Sequence, residues 1–152
     1  MKTDLKSGIG TVRQVLATKG SHVYSIEPGA TVREALKLMA LQNVGALLVI
    51  ESNHLLGIIT ERDYARKVIL RGRSSQSTLV REIMSRDMAC VGLEHTVSDC
   101  MNLMTDNKVR HLPVLSEKGI AGIVSIGDVV KDIIAEQEFM LEQLGNYITG
   151  TR

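Results

Sequence analysis

The sequence predicts an α+β fold made of two copies of one unit, and three observations carry that reading. Residues 57–63 read G-I-I-T-E-R-D and residues 122–128 read G-I-V-S-I-G-D, an interval of 128 − 63 = 65 residues. Thr31-Val32 recurs as Thr96-Val97 at the same interval, 96 − 31 = 65, so the 33 positions from each Thr to each Asp align without a gap. Ten of those positions are identical: Thr31, Val32, Leu38, Met39, Val44, Leu47, Val49, Gly57, Ile58 and Asp63 with their partners. Self-similarity at a fixed period marks repeated supersecondary units, each too small to bury a core alone.

Each copy reads strand, helix, strand, strand, helix. In the first, His22 to Ile26 is a short β-type run closed by the turn signal Glu27-Pro28-Gly29. Thr31-x-x-Glu34 announces a helix through a capping box, and Val32, Ala35, Leu36 and Met39 place its apolar side chains on one face. Gly45 to Ile50 and Leu55 to Ile59 are apolar strands joined by the polar turn E-S-N-H, and a second helix starts after Thr60 and runs toward Arg71-Gly72. The second copy repeats this with a strand at Ala89 to Gly92, a helix from Thr96-x-x-Asp99, strands at Arg110 to Leu115 and Ile120 to Val124, and a final helix from Ile126 to about Leu144. A short helical pattern precedes each copy, T-V-R-Q-V-L at 11–16 and V-R-E-I-M at 80–84. Repeat 1 is thus expected over residues 11–71 and repeat 2 over 79–140, with an Arg- and Ser-rich linker between them and tails at 1–10 and 145–152. A lone three-stranded sheet leaves one face uncovered, so the two sheets are expected to pack on each other about a pseudo-two-fold axis.

Composition excludes several classes of function. With 44% apolar and 23% charged residues in 152, the chain is an ordinary globular composition that fits one domain. The net charge of +1 provides no field for nucleic acid or an anionic membrane, and one Phe, three Tyr and no Trp leave few platforms for stacking bases. No apolar run approaches the length of a membrane span, and M-K-T-D-L-K-S-G-I-G lacks the apolar core of an export signal, so a cytoplasmic location is expected. Cys90 and Cys100 lack metal-ligand spacing and read as reduced, buried thiols. His22, His54 and His95 have no ligand partner at helical spacing, so no metal is expected.

Chemistry is concentrated at Thr60-x-x-Asp63 and Ser125-x-x-Asp128, which follow strand ends and open helices. Helix capping explains part of this pattern, as it fully explains Thr31-x-x-Glu34 and Thr96-x-x-Asp99. The same geometry suits a nucleotide. Free N–H groups and a hydroxyl at a helix start meet phosphate oxygens, and a short carboxylate accepts hydrogen bonds from two ribose hydroxyls.

These motifs, with Leu38-Met39, Leu103-Met104 and R-H-L-P-V at 110–114, resemble tandem CBS domains, the Bateman module, over residues 11 to 140. The resemblance implies a ligand-sensing regulatory pair that binds an adenosine compound (AMP, ADP, ATP, NAD or S-adenosylmethionine) in two clefts between the repeats and has no catalytic activity. It implies that Asp63 and Asp128 bind ribose, that Thr60 and Ser125 approach phosphate, and that Arg110 and His111 stand beside Asp63. The copies are unequal: Arg110-His111 aligns with Gly45-Ala46, and Arg62 aligns with Gly127. Arginine pairs bidentately with phosphate, so the Asp63 cleft is expected to be the stronger phosphate site, with Arg62 and Arg66 serving the Asp128 cleft or the centre. Lys67, Arg71 and Arg73 read as a solvated helix face. The apolar surplus of the last helix (Val129, Val130, Ile133, Ile134, Phe139, Met140, Leu144) points to a homodimer, and the output to an unidentified protein target. The alternatives are an interaction module with empty clefts and, from another class, a nucleotide-hydrolysing enzyme. The latter lacks a P-loop and a nucleophile with an adjacent base.

Overall fold

The computed structural model describes residues 10–149; residues 1–9 and 150–152, within the two expected tails, lie outside the described residues. The elements in chain order are α1 (Val12–Lys19), β1 (Ser25–Ile26), α2 (Val32–Gln42), β2 (Ala46–Glu51), β3 (His54–Thr60), α3 (Glu61–Tyr64) with a π-helical turn at Ala65–Ile69, α4 (Val80–Ile83), α5 (Val97–Asn107), β4 (His111–Ser116), β5 (Gly119–Ser125) and α6 (Ile126–Thr149). The α+β class and the duplicated order agree with the sequence.

The 65-residue period extends to fine detail. Thr31 and Thr96 cap α2 and α5 with complete capping boxes, the carboxylates of Glu34 and Asp99 accepting from the Thr N–H at 2.8 and 2.9 Å. Both helices stop at a left-handed residue, Asn43 at φ 57° and Lys108 at φ 55°. Residues in this conformation end a helix by turning the chain away from it, leaving the last carbonyls to local N–H donors. The antiparallel ladders β2–β3 and β4–β5 share one register, Ala46 opposite Thr60 and His111 opposite Ser125, and each slips at the equivalent place, Val49/Ile50 and Val114/Leu115.

The copies differ at the first strand. In the first, β1 pairs in parallel with β2, and the Leu48 N–H donates to Tyr24 O at 3.1 Å. The equivalent residue in the second copy is Pro113, which has no N–H to give. The expected strand at Ala89 to Gly92 therefore shrinks to a parallel bridge between Val91 and Val114, and the second sheet has two strands.

Two compact units result, and they do not follow the order of the repeats along the chain. One comprises residues 22–88. Its core is Val32, Ala35, Met39, Leu47, Val49, Ile59 and Val68 together with Val80, Ile83 and Met84 of the α4 segment. The other joins residues 10–21 to 89–149, and Val12, Val15 and Leu16 of α1 pack into a core of Val97, Cys100, Met104, Leu112, Val114, Val124 and Val129. The helix that precedes each copy is thus built into the core of the other copy. Equivalent hydrogen bonds fix both helices. Val12 N–H donates to His95 O at 2.8 Å and Arg13 N–H to Leu93 O at 3.0 Å, while Val80 N–H donates to Ala30 O at 2.8 Å and Arg81 N–H to Pro28 O at 3.0 Å.

Gly57 and Gly122 mark where the entry segments pass over the sheets. A Cβ on Gly57 would lie 2.6 Å from the Ser85 carbonyl oxygen, and one on Gly122 would lie 2.9 Å from a methyl of Leu16. Backbone cannot yield as a leucine terminus can. Gly57→Ala is expected to cost about 1–3 kcal/mol in urea unfolding, the usual penalty of overpacking, and Gly122→Ala less.

The final helix departs from expectation in length. It continues past Leu144 to Thr149, and from Gln137 to Ile148 every residue is exposed. Val130, Ile134, Leu141, Leu144 and Ile148 follow helical spacing along it. Among the described residues no helix is long and apolar enough to cross a membrane.

Candidate functional site

Both S/T-x-x-D turns form at the junction of a sheet and a helix start. In the unit of residues 22–88, the Thr60 N–H and hydroxyl both donate to Asp63 Oδ2, at 3.0 and 3.1 Å, and Asp63 N–H donates to Thr60 Oγ1 at 3.1 Å. Asp63 is buried. Its other oxygen, Oδ1, accepts from Ser85 Oγ at 3.4 Å and faces Lys67 Nζ at 3.2 Å, and the same ammonium donates to Ile83 O at 2.8 Å.

The other unit builds the same arrangement from different residues. Ser125 N–H donates to Asp128 Oδ2 at 2.8 Å, and Asp128 N–H to Ser125 Oγ at 3.2 Å. Lys19 Nζ at the end of α1 donates to Asp128 Oδ2 at 2.6 Å and to Ile123 O at 3.0 Å. The capping geometry expected of both motifs is present, and each carboxylate also holds an ammonium.

Sequence reasoning missed both lysines in this role. Lys67 reads from the sequence as part of a solvated face, although its i, i+4 spacing from Asp63 on a helix is the signal that pairs them. Lys19 is 109 residues from Asp128 and carries no local signal. Ser85, which follows α4, was also missed; only its place in the core segment leads it to Asp63.

The hairpin register sets His111 opposite Ser125. Arg110 is exposed, and its carbonyl accepts from Ile126 N–H at 2.9 Å at the start of α6. Burial holds the His111 pKa below the ordinary histidine value, the nearby Lys19 and Arg110 charges push the same way, and Asp128 opposes them. The structure therefore brings Arg110 and His111 together with Ser125, Asp128 and Lys19 in one unit. Asp63, beside which the sequence leads them to be expected, belongs to the other unit. Arg62 and Arg66 are exposed on the helix that follows Thr60.

The sign of the His111 shift sets a pH dependence. A histidine with a depressed folded pKa binds fewer protons folded than unfolded, so its contribution is complete above the ordinary value near 6.5 and is lost as pH falls toward the folded value. The melting temperature of wild type is expected to drop between pH 7 and 5.5, and His111→Gln to flatten that drop; a parallel drop in the variant would contradict it.

Burial raises the Cys100 pKa to about 11, with the charge of Asp99 adding to it, and burial also raises that of Cys90. Both thiols are protonated at neutral pH and unsuited to nucleophilic work. Among the described residues no group of three or more His, Cys, Asp or Glu is placed to hold a metal ion.

The CBS domain model matches residues 12–70 and 80–135. Over 125 residues the sequence is 50% identical to the mitochondrial CBS domain-containing protein CBSX3 of Arabidopsis thaliana; the match takes in 79% of this chain and spans 61% of that relative's length. A solved protein with CBS domains from Burkholderia ambifaria superposes with a TM-score of 0.82 at 46% identity, over 84% of this chain and 96% of that one. A more distant CBS domain pair, solved in complex with 5′-methylthioadenosine and S-adenosyl-L-methionine, shares the fold at a TM-score of 0.71 and 21% identity, over 84% of this chain and 98% of that one.

Proposed function

Because the chain belongs to the CBS domain family and carries two such repeats in tandem, we propose that it is a regulatory module whose two S/T-x-x-D turns sense an adenosine compound. The observation that carries this reading is the duplicated turn itself. At each, a short carboxylate sits beside a hydroxyl and the N–H groups of a helix start, within reach of a lysine. Asp63 and Asp128 accept the two ribose hydroxyls. Thr60, Ser125 and the helix starts face phosphate, and Arg110 and His111 add cationic and donor groups, with Arg62 and Arg66 as further phosphate partners. That a distantly related CBS pair holds two adenosine derivatives supports adenosine as the common element and leaves AMP, ATP and NAD as candidates here.

The output is conformational. A ligand shifts an equilibrium only by its differential affinity for two states. The exposed apolar stripe of α6 supports pairing with a second copy, through which occupancy would be passed on to a protein target in the cytoplasm. Sedimentation at micromolar concentration should show the dimer; monomer alone removes that part of the reading.

Scanning fluorimetry with AMP, ATP, NADH and S-adenosylmethionine tests the whole. A ligand at 100 times its Kd adds about 2.7 kcal/mol of stability, a shift of several degrees. Arg110→Ala should weaken ATP and AMP binding while leaving the fold intact. No shift with any of the four would reduce the protein to an interaction module.

A further inference from the structure

The two lysines are more than neutralising charges. Lys67 lies four residues after Asp63 on the same helix, and the repeat equivalent of that position (67 + 65 = 132) is Asp132. Lys19 comes from the entry helix α1, and its counterpart after α4, offset as Val12 is from Val80 (19 + 68 = 87), is Asp87. Neither lysine has a copy in the other repeat. Yet each ammonium reaches the motif carboxylate and a backbone carbonyl, Asp63 Oδ1 and Ile83 O at 3.2 and 2.8 Å for Lys67, Asp128 Oδ2 and Ile123 O at 2.6 and 3.0 Å for Lys19. Duplication cannot explain this match, because the residues are not duplicates. A cation at each aspartate is a shared requirement met twice by different means.

We infer that Lys19 and Lys67 are specificity-determining residues, which hold the motif aspartates and select an adenosine ligand bearing an anion over the neutral nucleoside. The inference rests on the nucleotide reading above and deepens it. A ribose diol arriving at the carboxylate competes with an ammonium already paired with it. The neutral nucleoside displaces it and returns nothing. A phosphate on the same ligand offers the displaced ammonium a new charge-assisted partner, within the sweep of a flexible four-carbon stem. Each lysine also ties its aspartate to another segment, Lys67 to the last residue of α4 and Lys19 to α1, so the exchange is felt at both entry helices.

Calorimetric titration of the full chain with adenosine and with AMP tests it. Wild type should prefer AMP. Lys19→Met and Lys67→Met should each cut the AMP-to-adenosine affinity ratio of the affected site at least tenfold, about 1.4 kcal/mol, with adenosine bound as well as or better than before. Lys19→Arg and Lys67→Arg, which keep the charge, should retain the wild-type ratio. Lys19→Gln and Lys67→Gln keep a donor for the carbonyl and serve where a methionine variant does not fold. A wild-type ratio in the charge-free variants overturns the inference while the nucleotide reading stands. Binding of neither compound to wild type overturns the inference, and no shift with ATP, NADH or S-adenosylmethionine as well brings down the nucleotide reading.

Discussion

Asp128→Asn is expected to lower affinity for an adenosine compound at its site by about 100-fold while costing the fold only about 1 kcal/mol. The two effects separate because the observed cap and the proposed ribose contact ask different things of the carboxylate. As a cap it accepts the Ser125 N–H at 2.8 Å, and an amide oxygen does that nearly as well. The ion pair with Lys19 is lost, but partial exposure limits what that pair contributes. Toward two ribose hydroxyls the replacement is severe. Asparagine offers one acceptor and one donor where aspartate offers two charged acceptors, and hydrogen bonds to charged groups contribute about 1.5–3 kcal/mol each. Titration calorimetry and urea unfolding on the same preparation measure both quantities. Unchanged affinity with lowered stability would mean that the carboxylate is a cap and nothing else.

Val12→Asp should cost about 4 kcal/mol or more and should unfold the wrong half of the chain, judged by sequence position. Val12 has no exposed surface, and a carboxylate there enters the apolar core that includes Val97 and Leu112, so an unpaired charge is buried. Hydrogen exchange with peptide-level readout should show protection lost across residues 89–149 and kept across 22–88. Val80→Asp should give the converse, because Val80 belongs to the core containing Met39 and Leu47. Loss of protection in the repeat that directly follows each mutated helix would contradict the exchanged packing.

Much of the fold could be read from the 65-residue period. Capping threonines, strand pairs and the two motif aspartates all recur at it, because local chemistry sets each of them. What escaped was set by partners distant in sequence. The second copy loses its first strand to one missing N–H at Pro113, a defect visible only once the ladder is drawn. The helical patterns at 11–16 and 80–84 were legible as helices, but periodicity says nothing of which core an added helix enters. At the candidate site, the turns Thr60 to Asp63 and Ser125 to Asp128 follow from spacing. His111 opposite Ser125 follows from the hairpin register, and the Lys19 contact with Asp128 follows from nothing local.

The crossed loan of leading helices has a consequence for ancestry and for engineering alike. A single ancestral copy could have made the contacts now seen between α1 and the 89–149 core only by trading that helix with a second molecule. In one polypeptide the tether governs that encounter, and dilution does not. A gene cut in the Arg- and Ser-rich stretch before Leu79 would part each core from its borrowed piece, and the two fragments should regain their shape only when mixed.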